Sequence, residues 1–298
     1  MQDPAFRTDL AMEAREAAGE IPGVEMTKEQ DAGAEIVRVR VRTKEGADAL
    51  GKPLGTYVTL THPGLCAGEV RADGALAARL AQEIAALLPL REGASVLLVG
   101  LGNRRLTPDS LGPRAAGAAL VTRHLHKALP QLRPVSAILP GVTGVTGLET
   151  GELVAAVCRA FHPGAVLALD ALAARSAERL LTTVQIADAG VAPGSGVGNH
   201  RAALTREELG VPVVALGIPT VIHASTILRD ALERIAGEAG ARVDARGLAE
   251  DLGAGDLLVT PAGIDEQVRA ASALLADAID LALHAPLTLA DIRAIRGE

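Results

Sequence analysis

The stretch Val96-Leu97-Leu98-Val99, closed by Gly100, Gly102 and Asn103, constrains this chain more than any other. Four apolar residues in a row leave no polar face, so the strand they predict is buried on both sides, as in a parallel sheet. The glycines and Asn103 let the backbone turn sharply off its carboxyl end. That turn runs through Thr107-Pro108-Asp109-Ser110 into a helical pattern over 112–129. In open α/β sheets ligands gather outside the carboxyl ends of strands, which puts Asp109 where chemistry is commonly done. An Asp just ahead of a helix also serves as an N-cap, and the local pattern leaves both roles open. Gly100-Leu101-Gly102 begins like a dinucleotide fingerprint, but the third glycine is missing and no acidic residue waits at the end of the next strand.

From Ser95 onward, strand patterns at 95–100, 135–139, 165–169, 183–187 and 212–217 alternate with helical ones at 112–129, 149–161, 221–237 and 264–284. This rhythm predicts an α/β fold, a mostly parallel sheet with helices on both faces. Upstream, Gly74–Leu88 reads as an alanine-rich helix and Tyr57-Val58-Thr59-Leu60 as a strand. Residues 35–42 alternate Val37, Val39 and Val41 with Arg38, Arg40 and Arg42, a half-exposed strand whose arginines face solvent. Residues 1–34 hold no sustained period and read as an extended or loosely packed arm. The N-terminal part is therefore expected to be a small β and arm elaboration. The segment 238–262, rich in glycine and charge, reads as a surface excursion.

Tyr57, Phe6 and Phe161 are the only aromatics, so the core must be built from Ala, Leu, Val and Ile. Scarce stacking platforms and a formal net charge of −7 argue against a nucleic-acid surface. Cys66 and Cys158 make no disulfide framework, and no stretch resembles a secretory signal or a membrane span. A soluble, cytoplasmic protein is expected.

Asp170 closes Val166-Leu167-Ala168-Leu169, and Asp188 closes Thr183-Val184-Gln185-Ile186-Ala187. A charge at the end of a buried strand needs partners or a function. Two carboxylates at neighbouring strand ends can share a proton, one acting as acid while the other is base; caps and ion pairs are the alternative. The loop Gly194-Ser195-Gly196-Val197-Gly198-Asn199 could cradle an anion but lacks the Lys-Ser/Thr ending of a phosphate loop. Ser195 also lacks the strand-turn-helix setting of a nucleophile elbow. His124 and His126, two apart on a helical pattern, point about 200° apart and cannot share an ion. His223, beyond Pro219-Thr220-Val221-Ile222, is the one histidine placed near a strand end. No metal site and no cofactor are expected.

Several stretches together carry a family resemblance. They are Arg7-Thr8-Asp9-Leu10-Ala11, Gly51-Lys52-Pro53, Val99-Gly100-Leu101-Gly102-Asn103, Thr107-Pro108-Asp109-Ser110-Leu111-Gly112-Pro113, Thr146-Gly147-Leu148-Glu149-Thr150, Asp170-Ala171-Leu172-Ala173-Ala174-Arg175-Ser176 and Gly217-Ile218-Pro219-Thr220-Val221. The chain resembles the germination proteases of spore-forming bacteria, endopeptidases that degrade small acid-soluble spore proteins. The resemblance implies an atypical aspartic protease with a fold like that of hydrogenase maturation endopeptidases, acting in the cytoplasm of the forespore and in the spore core. Its two essential aspartates map onto Asp109 and Asp170, to activate water and protonate the leaving amine. Asp170, closing an apolar strand, is the one expected to be neutral.

The same resemblance implies a homotetrameric zymogen that removes its own N-terminus. Asp9, Leu10, Ala11, Met12 and Glu13 repeat the family's cleavage order of acidic, large apolar, alanine, free and acidic. The expected propeptide is 1–9, anchored by Phe6 and Arg7, and the peptidase domain is 10–298. Asn103, Asp188, Ser195 and His223 are candidate site-lining residues, with His223 standing where the family usually has Asp. Two rivals remain: a metal-dependent maturation endopeptidase using a carboxylate and His223, and a non-catalytic small-ligand protein using the two glycine-rich loops.

Overall fold

The computed structural model describes residues 8–192, 203–239 and 257–298. In chain order the elements are α1 (Ala11–Ala18), β1 (Val24–Asp31), β2 (Ala34–Val41), α2 (Lys44–Leu50), β3 (Gly55–Thr61), α3 (Gly68–Asp73), α4 (Ala75–Leu87), β4 (Val96–Gly100), α5 (Leu111–Ala118), β5 (Val135–Ile138), α6 (Thr143–Thr146), α7 (Thr150–Phe161), β6 (Ala165–Ala174), β7 (Thr183–Ala187), α8 (Arg206–Leu209), β8 (Val213–His223), α9 (Ala224–Ala239), β9 (Leu258–Val259), α10 (Ile264–Leu283) and α11 (Leu289–Arg296).

Among the described residues one sheet runs β1-β2-β3-β7-β8-β6-β4-β5, with β9 added to β8. Strands β5, β4, β6 and β8 are parallel, while β1, β2, β3, β7 and the β8–β9 pair are antiparallel. The expected mostly parallel sheet is thus corrected to a mixed one. The reason lies in the connections. Ala32 and Gly33, both at positive φ, make a two-residue hairpin between β1 and β2. The link from β6 to β7, which sit on either side of β8, holds only a short 3-10 turn at Ala177–Arg179, too little for the crossover that would bring β7 in parallel.

On one face α4, α5 and α10 cover Leu98, Leu167, Leu169, Val184 and Ile186. On the other, α7 covers Leu97, Val99, Val166 and Ala168, and the N-terminal residues cover Val37, Val39, Tyr57 and Leu172. Leu10, Ala11 and Met12 are fully buried there. The expected loose arm is instead a helix, a strand and part of the core. Arg38 is not simply solvated either: it pairs with Glu29 and with buried Glu83.

Three sequence boundaries shift. The helix expected over 112–129 stops at Ala118, because the Leu120 N–H turns to the Asp280 carboxylate, at 3.0 and 3.1 Å. Strands β6 and β8 overrun their apolar cores to Ala174 and His223. The 194–199 loop with Ser195, residues 1–7 with Phe6 and Arg7, and most of the 238–262 excursion lie outside the described residues. Among the described residues no helix is long and apolar enough to cross a membrane.

Candidate active site

Strand β6 lies between β4 and β8, with Gly100 opposite Leu169 and Asp170 opposite Gly217. Side chains alternate along a strand, so Asp170 stands on the face of Ala168 and Leu172, away from Leu167 and Leu169. It is 9% exposed, and its Oδ1 accepts from the Ala171 N–H at 2.9 Å. Glycine opposite it keeps room: a Cβ at Gly217 would lie 2.6 Å from Leu172 Cγ. Asp170, Leu172 and Gly217 line a cavity of about 270 Å³ with Thr8, Asp9, Lys52 and Gln185.

Asp109 ends a 3-10 turn at Thr107–Asp109, between β4 and α5. Its Oδ2 accepts from the Asn103 N–H at 2.7 Å, and Asn103 Oδ1 accepts from the Arg105 N–H at 3.0 Å. The carboxylate therefore closes the loop after β4; Ser110, at the N-cap position of α5, makes no side-chain cap bond. Gly102, at φ +112°, is required for this closure, since a Cβ there would lie 2.1 Å from the Asp109 carbonyl oxygen. The turn is pinned to its neighbours by Thr220 Oγ1 donating to Pro108 O at 2.7 Å, and by Thr107 Oγ1 donating to Asp265 at 2.7 Å. The Leu101 N–H donates to Leu169 O at 2.8 Å, which ties the start of the Asp109 loop to the residue before Asp170. Asp170 belongs to the cavity wall; Asp109 is not among its lining residues.

The N-terminal residues Thr8 and Asp9 line the cavity. Asp9 pairs with β6: its N–H donates to Ala173 O at 2.9 Å, and its Oδ2 accepts from the Ala173 N–H at 2.8 Å. The Asp9 carbonyl oxygen accepts from Gln185 Nε2 at 3.0 Å and Lys52 Nζ at 3.1 Å; Lys52 also donates to Thr8 O at 2.8 Å. Beyond the Asp9–Leu10 bond, the Ala11 N–H donates to Gln185 Oε1 at 2.7 Å. Glu13 accepts from the Arg175 N–H at 2.8 Å, the Ser176 N–H at 2.9 Å and the Thr8 hydroxyl. Burial pushes the Lys52 ammonium below its ordinary pKa, while the Asp9 and Glu13 carboxylates pull it back up.

The other candidates stand apart. Asp188 Oδ1 accepts from the Thr56 N–H at 2.6 Å and closes the β3–β7 ladder. His223, 7% exposed, ends β8 opposite Leu258 of β9 and is not on the cavity wall. Among the described residues no three His, Cys, Asp or Glu side chains come together as a metal site would require.

The germination protease family model matches residues 5–247. A germination protease of Clostridium perfringens is 40% identical over 96% of this chain and 97% of its own length. One from Caldanaerobacter subterraneus is 46% identical over 78% and 74%, and one from Bacillus subtilis 45% identical over 77% and 67%. The chain belongs to the germination protease family. It is a protease, and a cavity holding a peptide segment beside a buried carboxylate is a setting in which such chemistry can occur.

Two residues of this protease's cavity escaped the sequence reading as chemical groups. Gln185 is the one long polar side chain inside the apolar β7, 8% exposed, and that mismatch was its signal. Lys52 follows Gly51, which caps α2 in the left-handed region, and a lone lysine after a helix end carries no signal of its own.

Proposed function

We propose that this protease cuts small acid-soluble spore proteins during germination through the Asp109 and Asp170 carboxylates. It is made as a precursor that cuts itself between Asp9 and Leu10, releasing 1–9 from the peptidase domain 10–298. One carboxylate takes a proton from water as its oxygen attacks the carbonyl carbon, and a carboxylic acid protonates the departing amide nitrogen. A carboxyl group on β6 and one on the loop after the adjacent β4 suit this division where they come close enough to share a proton. The forespore and spore core are its place of action, and a homotetramer is its assembly.

The observation that carries the reading is the seating of Asp9. The residue that matches the family's cleavage order lines the same cavity as Asp170 and bonds to Ala173 of β6 through its N–H and its carboxylate. Main-chain hydrogen bonds to a strand edge are a recurring way for a protein to hold a peptide segment. The arm is held by charge-assisted bonds from the Ala173, Arg175 and Ser176 N–H groups to the Asp9 and Glu13 carboxylates.

The test uses three chains: the full length, the full length with Asp9→Lys, and one beginning at Leu10. The full-length protein should shorten by nine residues and cleave a spore protein after a lag. The chain from Leu10 should show no lag, and Asp9→Lys should stay uncut and inactive, all in the presence of a zinc and nickel chelator. An Asp9→Lys protein as fast as the chain from Leu10 would overturn the propeptide. Activity lost to the chelator and restored by one metal would overturn the carboxylate mechanism.

A further inference from the structure

The Asp9 carbonyl oxygen accepts two side-chain hydrogen bonds, from Lys52 Nζ at 3.1 Å and Gln185 Nε2 at 3.0 Å. These donors come from distant parts of the chain, the loop after α2 and the middle of β7. A carbonyl in an ordinary turn or strand needs no ammonium group, and half-buried Lys52 is drawn inward at a cost in desolvation. We infer that Lys52 and Gln185 form the oxyanion site of this protease, polarising the carbonyl of the bond that is cut. The inference rests on the reading that cleavage takes place in this cavity.

The step balances simply. Water oxygen adds to the Asp9 carbonyl carbon, and the π pair moves onto the carbonyl oxygen, which becomes an oxyanion. Lys52 and Gln185 already point at that oxygen, so they need no rearrangement as the charge grows. The oxyanion then collapses, the carbon–nitrogen bond breaks, and the nitrogen of Leu10 leaves with a proton that came from the water. Water's second proton stays on the new carboxyl group until it passes to the amine, so the products are an Asp9 α-carboxylate and a Leu10 ammonium.

Gln185 does a second task through its other atom. Its Oε1 accepts from the Ala11 N–H at 2.7 Å while its Nε2 holds the Asp9 carbonyl. One amide therefore spans the bond between Asp9 and Leu10 and fixes both flanking groups. The Leu10 N–H donates to Thr8 Oγ1 at 3.0 Å, which holds the leaving nitrogen. A bond gripped on both sides resists twisting out of alignment, and alignment is a large part of what catalysis requires.

The experiment measures first-order self-cleavage of the full-length chain and kcat and KM of the chain from Leu10 on a spore protein. Lys52→Met keeps the stem and removes the charge, and should lower both rates about 10²–10³-fold, the usual loss for an oxyanion donor, with little change in KM. Gln185→Glu keeps the acceptor for Ala11 but turns the donor into an acceptor, and should lose about as much. Lys52→Arg, which can still donate, should recover most of the rate. Asp170→Asn is run alongside. If it is inactive while Lys52→Met and Gln185→Glu cleave at the wild-type rate, the oxyanion site is wrong and the cavity reading stands. If Asp170→Asn also cleaves normally, the cavity reading itself fails. Equal losses for Lys52→Met and Lys52→Arg, with lowered thermal midpoints in both, would make Lys52 a structural group and overturn the assignment.

Discussion

Two groups of carboxylates in this molecule are held by different kinds of donor. Asp277 and Asp280, on α10, are fully buried and held by arginine: Arg71 at 3.0 Å, Arg293 at 2.9 Å and Arg296 at 2.6 Å reach Asp277, and Arg296 also reaches Asp280. On the cavity wall, Asp9 and Asp170 accept from the main-chain N–H groups of Ala173 and Ala171, and Glu13, off that wall, accepts from those of Arg175 and Ser176. Guanidinium clamps fill the space around a carboxylate and tie helices together. Main-chain donors hold Asp9 and Asp170 on the wall of a cavity of about 270 Å³. Burial alone therefore does not distinguish the two groups; the donors that reach them do.

The sharpest way to break that contrast is to neutralise one member of each group. Asp109→Asn and Asp170→Asn should each lower spore-protein cleavage by about 10⁴-fold or more, with the double variant no worse than either. Asp277→Asn should leave the rate per folded molecule unchanged. Near-normal turnover by Asp170→Asn, measured in steady state, would remove the distinction.

The next effect is on stability. Asp277→Ala removes a carboxylate shared by three guanidinium groups, of which Arg296 keeps Asp280 and Arg71 keeps Glu298, and breaking a buried pair in this way costs about 3–5 kcal/mol. Urea unfolding measures it. A loss below about 1 kcal/mol would mean that water reaches the arginines once the carboxylate is gone. Gly102→Ala probes the other side. The added methyl meets the Asp109 carbonyl and must push the turn away. A misplacement near 1 Å should cost about 10²-fold in rate. Unchanged kcat in Gly102→Ala would separate Asp109 from the chemistry.

How much of this was legible in the sequence follows from range. The β4 and β6 strands and Asp170 at the end of an apolar run could be read, because burial imprints a local pattern of residue type. Strand direction left no such pattern; it depends on connection length, so the mixed sheet was missed. The burial of Leu10, Ala11 and Met12 was hidden because three residues are too few to show a period. Lys52 and Gln185 meet at Asp9 only through the fold, and neither position announces the other.

The smallest effect separates the two arginine-bound carboxylates from each other. Burial would raise Asp277, but Arg71 and Arg293 hold it below its ordinary pKa. Asp280 goes the other way: burial pushes it up to about 6, against the pull of Arg296 and the Leu120 N–H. A carboxyl whose folded pKa exceeds its unfolded value of about 3.9 binds protons more tightly when folded, so stability falls as pH rises from about 4 to 6. The loss is at most about 3 kcal/mol, from roughly two pKa units. Asp277 has the opposite sign, and its contribution is lost only below about pH 4, as its pairs protonate. Asp280→Asn mimics the protonated form. An asparagine carbonyl can still accept from Leu120, and Arg296 keeps Asp277 at 2.6 Å. Unfolding free energies of this variant and the wild type, compared at pH 4.5 and pH 7 (both chosen from the window of about 4 to 6 and above), cancel every group the two share. The variant should gain on the wild type by about 2 kcal/mol over that span, part of the full window. A difference that stays flat would mean that Arg296 keeps Asp280 ionised at both pH values, and the two carboxylates would then behave as one clamp.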